Sequence, residues 1–351
     1  AFATDPTRGV FILALLGVVI GGALTLYAWR APGLDRQVGF KPFSRETFLM
    51  LNNVLLCIAA FLILLGTLYP LILDAMNAGK ISVGKPYFDT VFLVPMLPLV
   101  FAAGIGMHVA WRSDDASKIA KRLRLAALVA IIAGCAIPVV VWGTGPVLAV
   151  VGMIAGLWLI LSSLRDPLAR LLGKGPRLTR SMVGMQLAHA GVGLFVIGVT
   201  ATNTFGVEAD QRVVLGESIE VAGYTVSFNG LKEVEGANYS ALRADIEIAR
   251  DGKTVAQLGP EKRIYRVQTS PMTEASIDDT WARHVFVALG DNLGEGAWSM
   301  RVQYKPLIRL IWFGAIIMAL GGAIAISDRR YRLAARAETT DSAPAGSARA
   351  G

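Results

Sequence analysis

The sequence contains little charge for its length and few of the side chains that usually carry out catalysis. Only 17% of the 351 residues are charged and 54% are hydrophobic. In a soluble domain, about a quarter of the residues are charged. The chain has 3 histidines and 2 cysteines. This composition excludes an ordinary soluble protein and predicts a polytopic membrane protein.

Several common site motifs are also missing. Cys57 and Cys135 each lie inside an apolar run and form no CxxC pair, which argues against disulfide exchange by this chain. We expect no disulfide between them and predict that both are small core residues. No Walker A, GxSxG or HExxH motif occurs.

Seven apolar runs are long enough to span a membrane, which takes about 20 residues. They cover approximately 9–29, 48–69, 91–111, 124–143, 146–164, 182–201 and 307–326. The fold class is therefore a polytopic α-helical membrane protein of about seven spans.

The basic residues predict the orientation of these spans. Nineteen Lys and Arg residues fall in alternate loops, 30–45, 112–124 and 165–180, and in the tail, 329–349. The short segments on the other side contain three. The positive-inside rule then places residue 1 outside and the C-terminus in the cytoplasm. Because the net charge of +8 lies in these loops, we predict no nucleic-acid partner.

Residues 202–306 form the one long segment between spans, and the orientation places it in the periplasm. Stretches such as "YTVSFNGLKEV" and "HVFVALGD" alternate apolar and polar residues, which is typical of β-strands. "ARDGKT" predicts a hairpin turn. We expect an inserted antiparallel β domain, a barrel or sandwich of six or seven strands, with 15 acidic and 11 basic residues.

These patterns divide the chain into four parts. We predict a six-span bundle at 1–201, the β domain at 202–306, a final transmembrane helix at 307–326 and a mostly disordered cytoplasmic tail at 327–351. The chain does not begin with Met and shows no signal peptide, so we expect a fragment of a longer chain or a processed one.

His189 stands near the middle of an apolar, glycine-rich span, "GMQLAHAGVGLFVIGV". An ionisable side chain at that depth is costly and points to function. Small residues beside it, including Ala188, Ala190, Gly191 and Gly193, would let a flat macrocycle approach, and haem iron takes a neutral imidazole as axial ligand. Alternatively, the small residues serve helix packing and the imidazole bonds a neighbouring helix.

The other two histidines are weaker candidates. His108 lies close to Trp111 at the end of the third span, as interfacial histidines often do, although a second iron ligand there is geometrically allowed. His284 lies in the β domain, where a strand or surface histidine is the usual case.

Several long motifs resemble one known family. "FSRETFLMLNNVLL", "LGTLYPLILDAMNAGKISVGKPYF", "RSMVGMQLAHAGVGLFVIG" and "LIRLIWFGAIIMALGGAIAISDRRYR" resemble, in order, the C-terminal half of CcmF, the haem lyase membrane subunit of bacterial System I cytochrome c maturation. The nitrite-reductase haem lyase subunit is a close paralogue.

The resemblance implies an enzyme of the bacterial inner membrane. Such a lyase takes haem from the haem chaperone CcmE and attaches it to the CxxCH thiols of apocytochrome c, which CcmH-type subunits hold. It also implies a membrane-bound haem b, with quinol as a possible electron donor. The histidine of the motif that matches "QLAHAGV" ligates that haem, so the resemblance assigns His189 as the iron axial ligand.

The sequence also departs from the family. Its tryptophan-rich WWD segment, both periplasmic haem-ligand histidines and the second membrane-haem histidine are absent, so we expect this chain alone to be insufficient for haem attachment. Three alternatives stay open: a b-type electron-transfer subunit, a haem or small-molecule permease, and a scaffold whose β domain docks partners.

Overall fold

The fold contains seven long helices and one β-sandwich. A computed structural model describes residues 6–34, 39, 41–174, 177–267 and 269–328. Seven helices in these residues are long and apolar enough to cross a membrane, which agrees with the predicted number. They are α1 (Pro6–Arg30), α2 (Arg45–Ala75), α3 (Lys85–Gly106), α4 (Ala116–Trp142), α5 (Val147–Leu171), α6 (Arg180–Phe205) and α7 (Arg309–Ile326).

The chain separates into two compact units, residues 1–127 and 128–351. In the first unit, Ser44 caps the start of α2 by accepting a hydrogen bond from the Thr47 amide. Gly66 of α2 leaves room for the ring of Tyr87 of α3, whose hydroxyl donates to the Leu62 carbonyl at 2.8 Å. These contacts hold α2 against α3.

Within the described residues, the second unit contains ten strands that form two antiparallel sheets. One sheet has the order β1-β10-β9-β8, and the other has the order β2-β3-β4-β6-β7 with β5 also paired to β4. The strands are β1 (Val207–Val214), β2 (Ser218–Val221), β3 (Tyr224–Glu235), β4 (Tyr239–Arg250), β5 (Lys253–Leu258), β6 (Glu261–Tyr265), β7 (Pro271–Glu274), β8 (Ser276–Asp279), β9 (Arg283–Gly294) and β10 (Ala297–Pro306).

The predicted antiparallel β domain is confirmed, but the predicted number of strands is wrong. Three of the ten strands, β2, β7 and β8, have only 4 residues. A run that short contains too few alternations to be recognised from its sequence. The predicted turn at "ARDGKT" is present, with Asp251 and Gly252 both at positive φ between β4 and β5, as a type I′ turn requires.

Alternating apolar residues of the two sheets meet in a single core. Inward-facing side chains of β3, β4, β9 and β10 are almost fully buried, among them Phe228, Ile246, Val287 and Met300. The sandwich connects directly to α6 through Gly206 and to α7 through Leu307. The predicted tail, 327–351, lies outside the described residues from 329 onward, and the four predicted boundaries stay predictions.

Candidate functional site

His189 lies on α6, the helix between α5 and α7. It is the tenth residue of that helix, about 14 Å along the axis from Arg180 at 1.5 Å per residue. The side chain is half-buried. His189 therefore lies near the middle of a long apolar helix, where the sequence placed it.

The His189 ring is held in one tautomer. Its Nδ1 lies 2.8 Å from the carbonyl oxygen of Met185, one turn earlier. A carbonyl only accepts hydrogen bonds, so Nδ1 of the neutral ring carries the proton and donates it. The lone pair is then on Nε2, and a backbone bond of this kind orients histidines that ligate metals. The chemistry of this donor fits one axial ligand of a haem iron.

The glycines around His189 do not leave the open clearing that the sequence suggested. Gly184, Gly191 and Gly198 recur every seven residues and so form a stripe on one face of α6. A methyl group on Gly191 would lie 2.7 Å from the carbonyl oxygen of Gly314 in α7, and one on Gly198 would lie 2.8 Å from the Ile311 amide nitrogen. The stripe brings the α7 backbone into contact, as the helix-packing alternative predicted.

The opposite face of α6 packs equally closely on α5. A methyl group on Gly193 would lie 2.7 Å from the Gly156 carbonyl oxygen. Residues four apart share a helix face, so His189 lies on the same side of α6 as Gly193, one turn nearer the start of the helix. His189 is thus held on a helix that is fixed between two neighbours.

A set of buried polar side chains on α5–α7 was missed by the sequence reasoning. Gln186, one turn before His189, is only 4% exposed, and both its amide atoms are buried without a hydrogen-bond partner among the described residues. Asp166 is 4% exposed and pairs with Arg165 at 2.6 Å. Asp328, past the end of α7, accepts from the Ser181 amide at 3.0 Å.

The sequence contained a usable sign of one of these residues. The fifth span was predicted to end at 164, where the apolar run stops, yet α5 continues through Pro167 to Leu171. Asp166 is therefore part of a helix rather than a solvated connection. An Arg and an Asp adjacent to each other in an apolar context could have indicated a buried ion pair.

The remaining sequence candidates are not brought together into a metal-binding cluster. Across the described ranges, no group of three or more His, Cys, Asp or Glu residues could hold an ion. His108 is buried just after the end of α3. Cys57 and Cys135 are free, as expected, but both are exposed on the outside of their helices, so the prediction of core positions is wrong.

His284 lies on β9, in agreement with its interpretation as a strand histidine. Burial lowers the pKa of its imidazole below the ordinary value of 6.5, and the charges of Arg309, Arg283 and Lys305 act in the same direction. The carboxylate of Asp279, its partner on β8, opposes them. The imidazole is therefore neutral at neutral pH, and its Nε2 is buried without a hydrogen-bond partner among the described residues.

A buried arginine and tyrosine fix the membrane end of the sandwich. Arg283, 7% exposed, donates from Nε to the Tyr224 hydroxyl at 2.8 Å and pairs with Asp278. Arg250 donates to the same hydroxyl at 2.9 Å. Tyr304 stacks on Tyr224, and burial raises the pKa of the Tyr304 phenol.

Comparison with known proteins shows which proteins are similar to this chain. Residues 204–306 match the family model described as the CcmF C-terminal beta-sandwich. The cytochrome c-type biogenesis protein CcmF of Pseudomonas aeruginosa is 45% identical over 344 residues, which cover 95% of this chain and 51% of that protein. The chain is a homologue of the CcmF proteins. The family resemblance of the sequence motifs is thereby confirmed.

Other CcmF relatives agree. Escherichia coli CcmF is 38% identical over 332 residues, covering 95% of this chain and 51% of the relative. The cytochrome c-type biogenesis protein NrfE of Haemophilus influenzae, a paralogue, is 31% identical over 337 residues, covering 95% of this chain and 52% of NrfE.

A solved structure shares the fold. The chain titled cytochrome c heme lyase CcmF superposes with a TM-score of 0.67 at 21% identity, over 82% of this chain and 46% of that one. The predicted fold class, membrane helices with an antiparallel β domain, is confirmed. The chain spans about half the length of the curated CcmF relatives that it matches.

Proposed function

We propose that this chain is part of a haem lyase that attaches haem covalently to the CxxCH thiols of apocytochrome c. The observation that carries the proposal is the similarity to curated cytochrome c-type biogenesis proteins along 95% of the chain, in both the helices and the sandwich. A partial match confined to one domain would not support a shared role of this kind.

The proposed reaction is the addition of each thiol across a vinyl group of haem. The S–H bond breaks, a C–S bond forms at one vinyl carbon, and the proton goes to the other. No atom is lost, so the step needs no leaving group. The tryptophan-rich segment and the other haem-ligand histidines of the family are not in this sequence. We therefore propose that attachment requires further polypeptide besides these residues.

We propose that His189 supplies one axial ligand to a membrane haem b. Its Nδ1–H donates to the Met185 carbonyl, which leaves the lone pair of the neutral ring on Nε2, the atom that would ligate an iron. The close α5–α6–α7 packing supports this role, because it fixes the helix that carries the imidazole. When bound, the haem would supply an electron that keeps the iron of the substrate haem reduced, and quinol is the proposed source of that electron.

The proposed partners follow from the same family membership. Haem is delivered by the haem chaperone CcmE, and CcmH-type subunits hold the apocytochrome. The excess of Lys and Arg in alternate loops supports an orientation with residue 1 and the sandwich in the periplasm and the C-terminus in the cytoplasm of a bacterium. The apocytochrome would then meet the sandwich side of the helices.

The test is cytochrome c maturation in a bacterium that lacks its own CcmF and receives the complete protein. Haem-stained c-type cytochrome should return with the unaltered protein and fall strongly with His189→Ala. His284→Gln is the matched control, because it alters a histidine of the sandwich and should leave maturation intact. Failure of the unaltered protein would contradict the lyase proposal, whereas full activity of His189→Ala would contradict only the assignment of the ligand.

A further inference from the structure

The loop between β8 and β9 carries an aromatic side chain beside the first turn of α7. Trp281 is 68% exposed although it is large and apolar. Its ring meets that of Phe313 edge to face, with centroids 6.2 Å apart. The guanidinium of Arg309 lies over the same indole, 5.4 Å from its centroid.

The position of this indole is fixed from both sides. Thr280 and Arg283 close the loop as a tight turn, in which the Thr280 amide donates to the Arg283 carbonyl at 2.9 Å. The Leu307 amide, just before α7, donates to the Ala282 carbonyl at 2.8 Å. Arg309 also pairs with Asp279 at the end of β8. Trp281 is therefore tied to the start of the helix and is not part of a free loop.

The start of α7 defines the depth of Trp281. Phe313 is four residues after the first residue of this apolar helix, which is about 6 Å along its axis. The neighbouring Trp312 is also 68% exposed. Tryptophan beside the ends of transmembrane helices prefers the headgroup region, where its apolar ring and its N–H are both accommodated.

We propose that the Trp281 loop is a membrane-contact site that binds phospholipid at the boundary between headgroups and acyl chains. Phospholipid is the occupant because Trp281 extends the exposed aromatic surface of Trp312 and Phe313. These two residues belong to α7, which is long and apolar enough to cross a membrane. The sandwich then contacts the bilayer beside its chain connection at Leu307.

The test places a nitroxide spin label at position 281 of the complete protein in phospholipid nanodiscs. Trp281→Cys is made after Cys57 and Cys135, both exposed, are replaced by alanine. The matched control is Glu295→Cys in the exposed β9–β10 turn. That turn lies at the far end of β10, about 30 Å from Pro306 at 3.3 Å per residue.

Collisions with oxygen and with a water-soluble nickel chelate distinguish the outcomes. We expect oxygen to relax the label at 281 more than the chelate does, and the reverse order at 295. Greater relaxation by the chelate at 281 would mean that the loop lies in water and would overturn the proposal. A label that neither reagent reaches would mean that protein covers the loop, which would overturn it equally.

A second measurement guards against damage by the cysteine substitution. Lipids brominated just below the headgroup should quench the tryptophan fluorescence of the unaltered protein more than that of Trp281→Leu. Equal quenching of the two proteins would contradict lipid contact.

Discussion

Gly191 of α6 and Gly314 of α7 contact each other backbone to backbone. A methyl group on Gly191 would lie 2.7 Å from the Gly314 carbonyl oxygen, and one on Gly314 would lie 2.6 Å from that of Gly191. The added methyl group would meet backbone atoms rather than a flexible side chain, so we predict that Gly191→Ala destabilises the protein by about 1–3 kcal/mol. Thermal unfolding in detergent measures the loss.

The matched control for this prediction is Gly322→Ala on α7, the helix that Gly191 contacts. No described atom lies within 4 Å of a methyl group there, and alanine is the better helix former by up to about 1 kcal/mol. The control should be as stable as the unaltered protein or slightly more stable. Equal losses at the two positions would refute close packing as the cause.

The buried amide of Gln186 yields a prediction of the opposite sign. Because neither amide atom has a described hydrogen-bond partner, its burial costs free energy. Gln186→Leu should raise the stability by about 1–2 kcal/mol, as measured by the same unfolding experiment. A loss of stability would instead mean that the amide has a partner in the assembled protein.

The Arg283 network should contribute strongly to the stability of the sandwich. Arg283→Met leaves Asp278, only 17% exposed, without its cation and removes a donor from Tyr224. We expect the free energy of unfolding to fall by about 2–3 kcal/mol. This is less than the usual cost of breaking a fully buried ion pair, because Asp278 is partly exposed to solvent. Hydrogen exchange of the β9 amides reports it.

An exposed ion pair in the same sheet provides the control. Arg301 pairs with Asp210 at 2.7 Å, but both side chains are about half exposed. Arg301→Met should cost at most about 1 kcal/mol. If Arg301→Met destabilises β9 and β10 as much as Arg283→Met does, burial does not explain the contribution of the Arg283–Asp278 pair to stability.

The low pKa of His284 predicts a loss of sandwich stability in mild acid. Below pH 6.5 the unfolded chain binds a proton at this imidazole, while burial lowers the pKa of the folded chain so that it binds the proton only at a lower pH. The unfolded state is then favoured as the pH falls toward the folded pKa, by at most about 1.4 kcal/mol per pH unit. Hydrogen exchange of β9 at pH 7.5 and 5.5, corrected for intrinsic rates, measures the change.

His284→Gln isolates this effect from other titrations. Glutamine does not ionise, so the variant should lose less protection between the two pH values than the unaltered protein. The neighbouring Asp279 is a weak source of change in this range, because its hydrogen bond to Arg309 lowers its pKa below the ordinary carboxyl value. An identical pH dependence in both proteins would exclude His284 as the cause.

Hydropathy predicted the seven helices well, because a membrane span requires a long apolar run that is easy to recognise in a sequence. It predicted helix ends poorly, as at α5, where Asp166 and Pro167 are inside the helix. The side chain of Asp166 is acceptable there because Arg165 pairs with it. That pairing depends on the packed bundle and is not visible in local sequence.

Only part of the site could be predicted from the sequence, because the rest depends on which helices pack together. The sequence identified His189 as an unusual residue, but it did not reveal that Gly184, Gly191 and Gly198 pack on α7. Their spacing of seven residues places them on one face of α6, and only the structure shows which helix that face contacts. Gln186 was missed because a single glutamine in an apolar helix gives no sign of whether it faces lipid or protein.

The most direct test of the account is the haem content of the complete, detergent-purified protein, with and without His189→Ala. The account predicts a b-type reduced-minus-oxidised spectrum in the unaltered protein and in His284→Gln, and its collapse in His189→Ala. An unchanged spectrum and haem content in His189→Ala would contradict the assignment of this imidazole as an iron ligand. Absence of haem from every form would contradict the membrane haem itself.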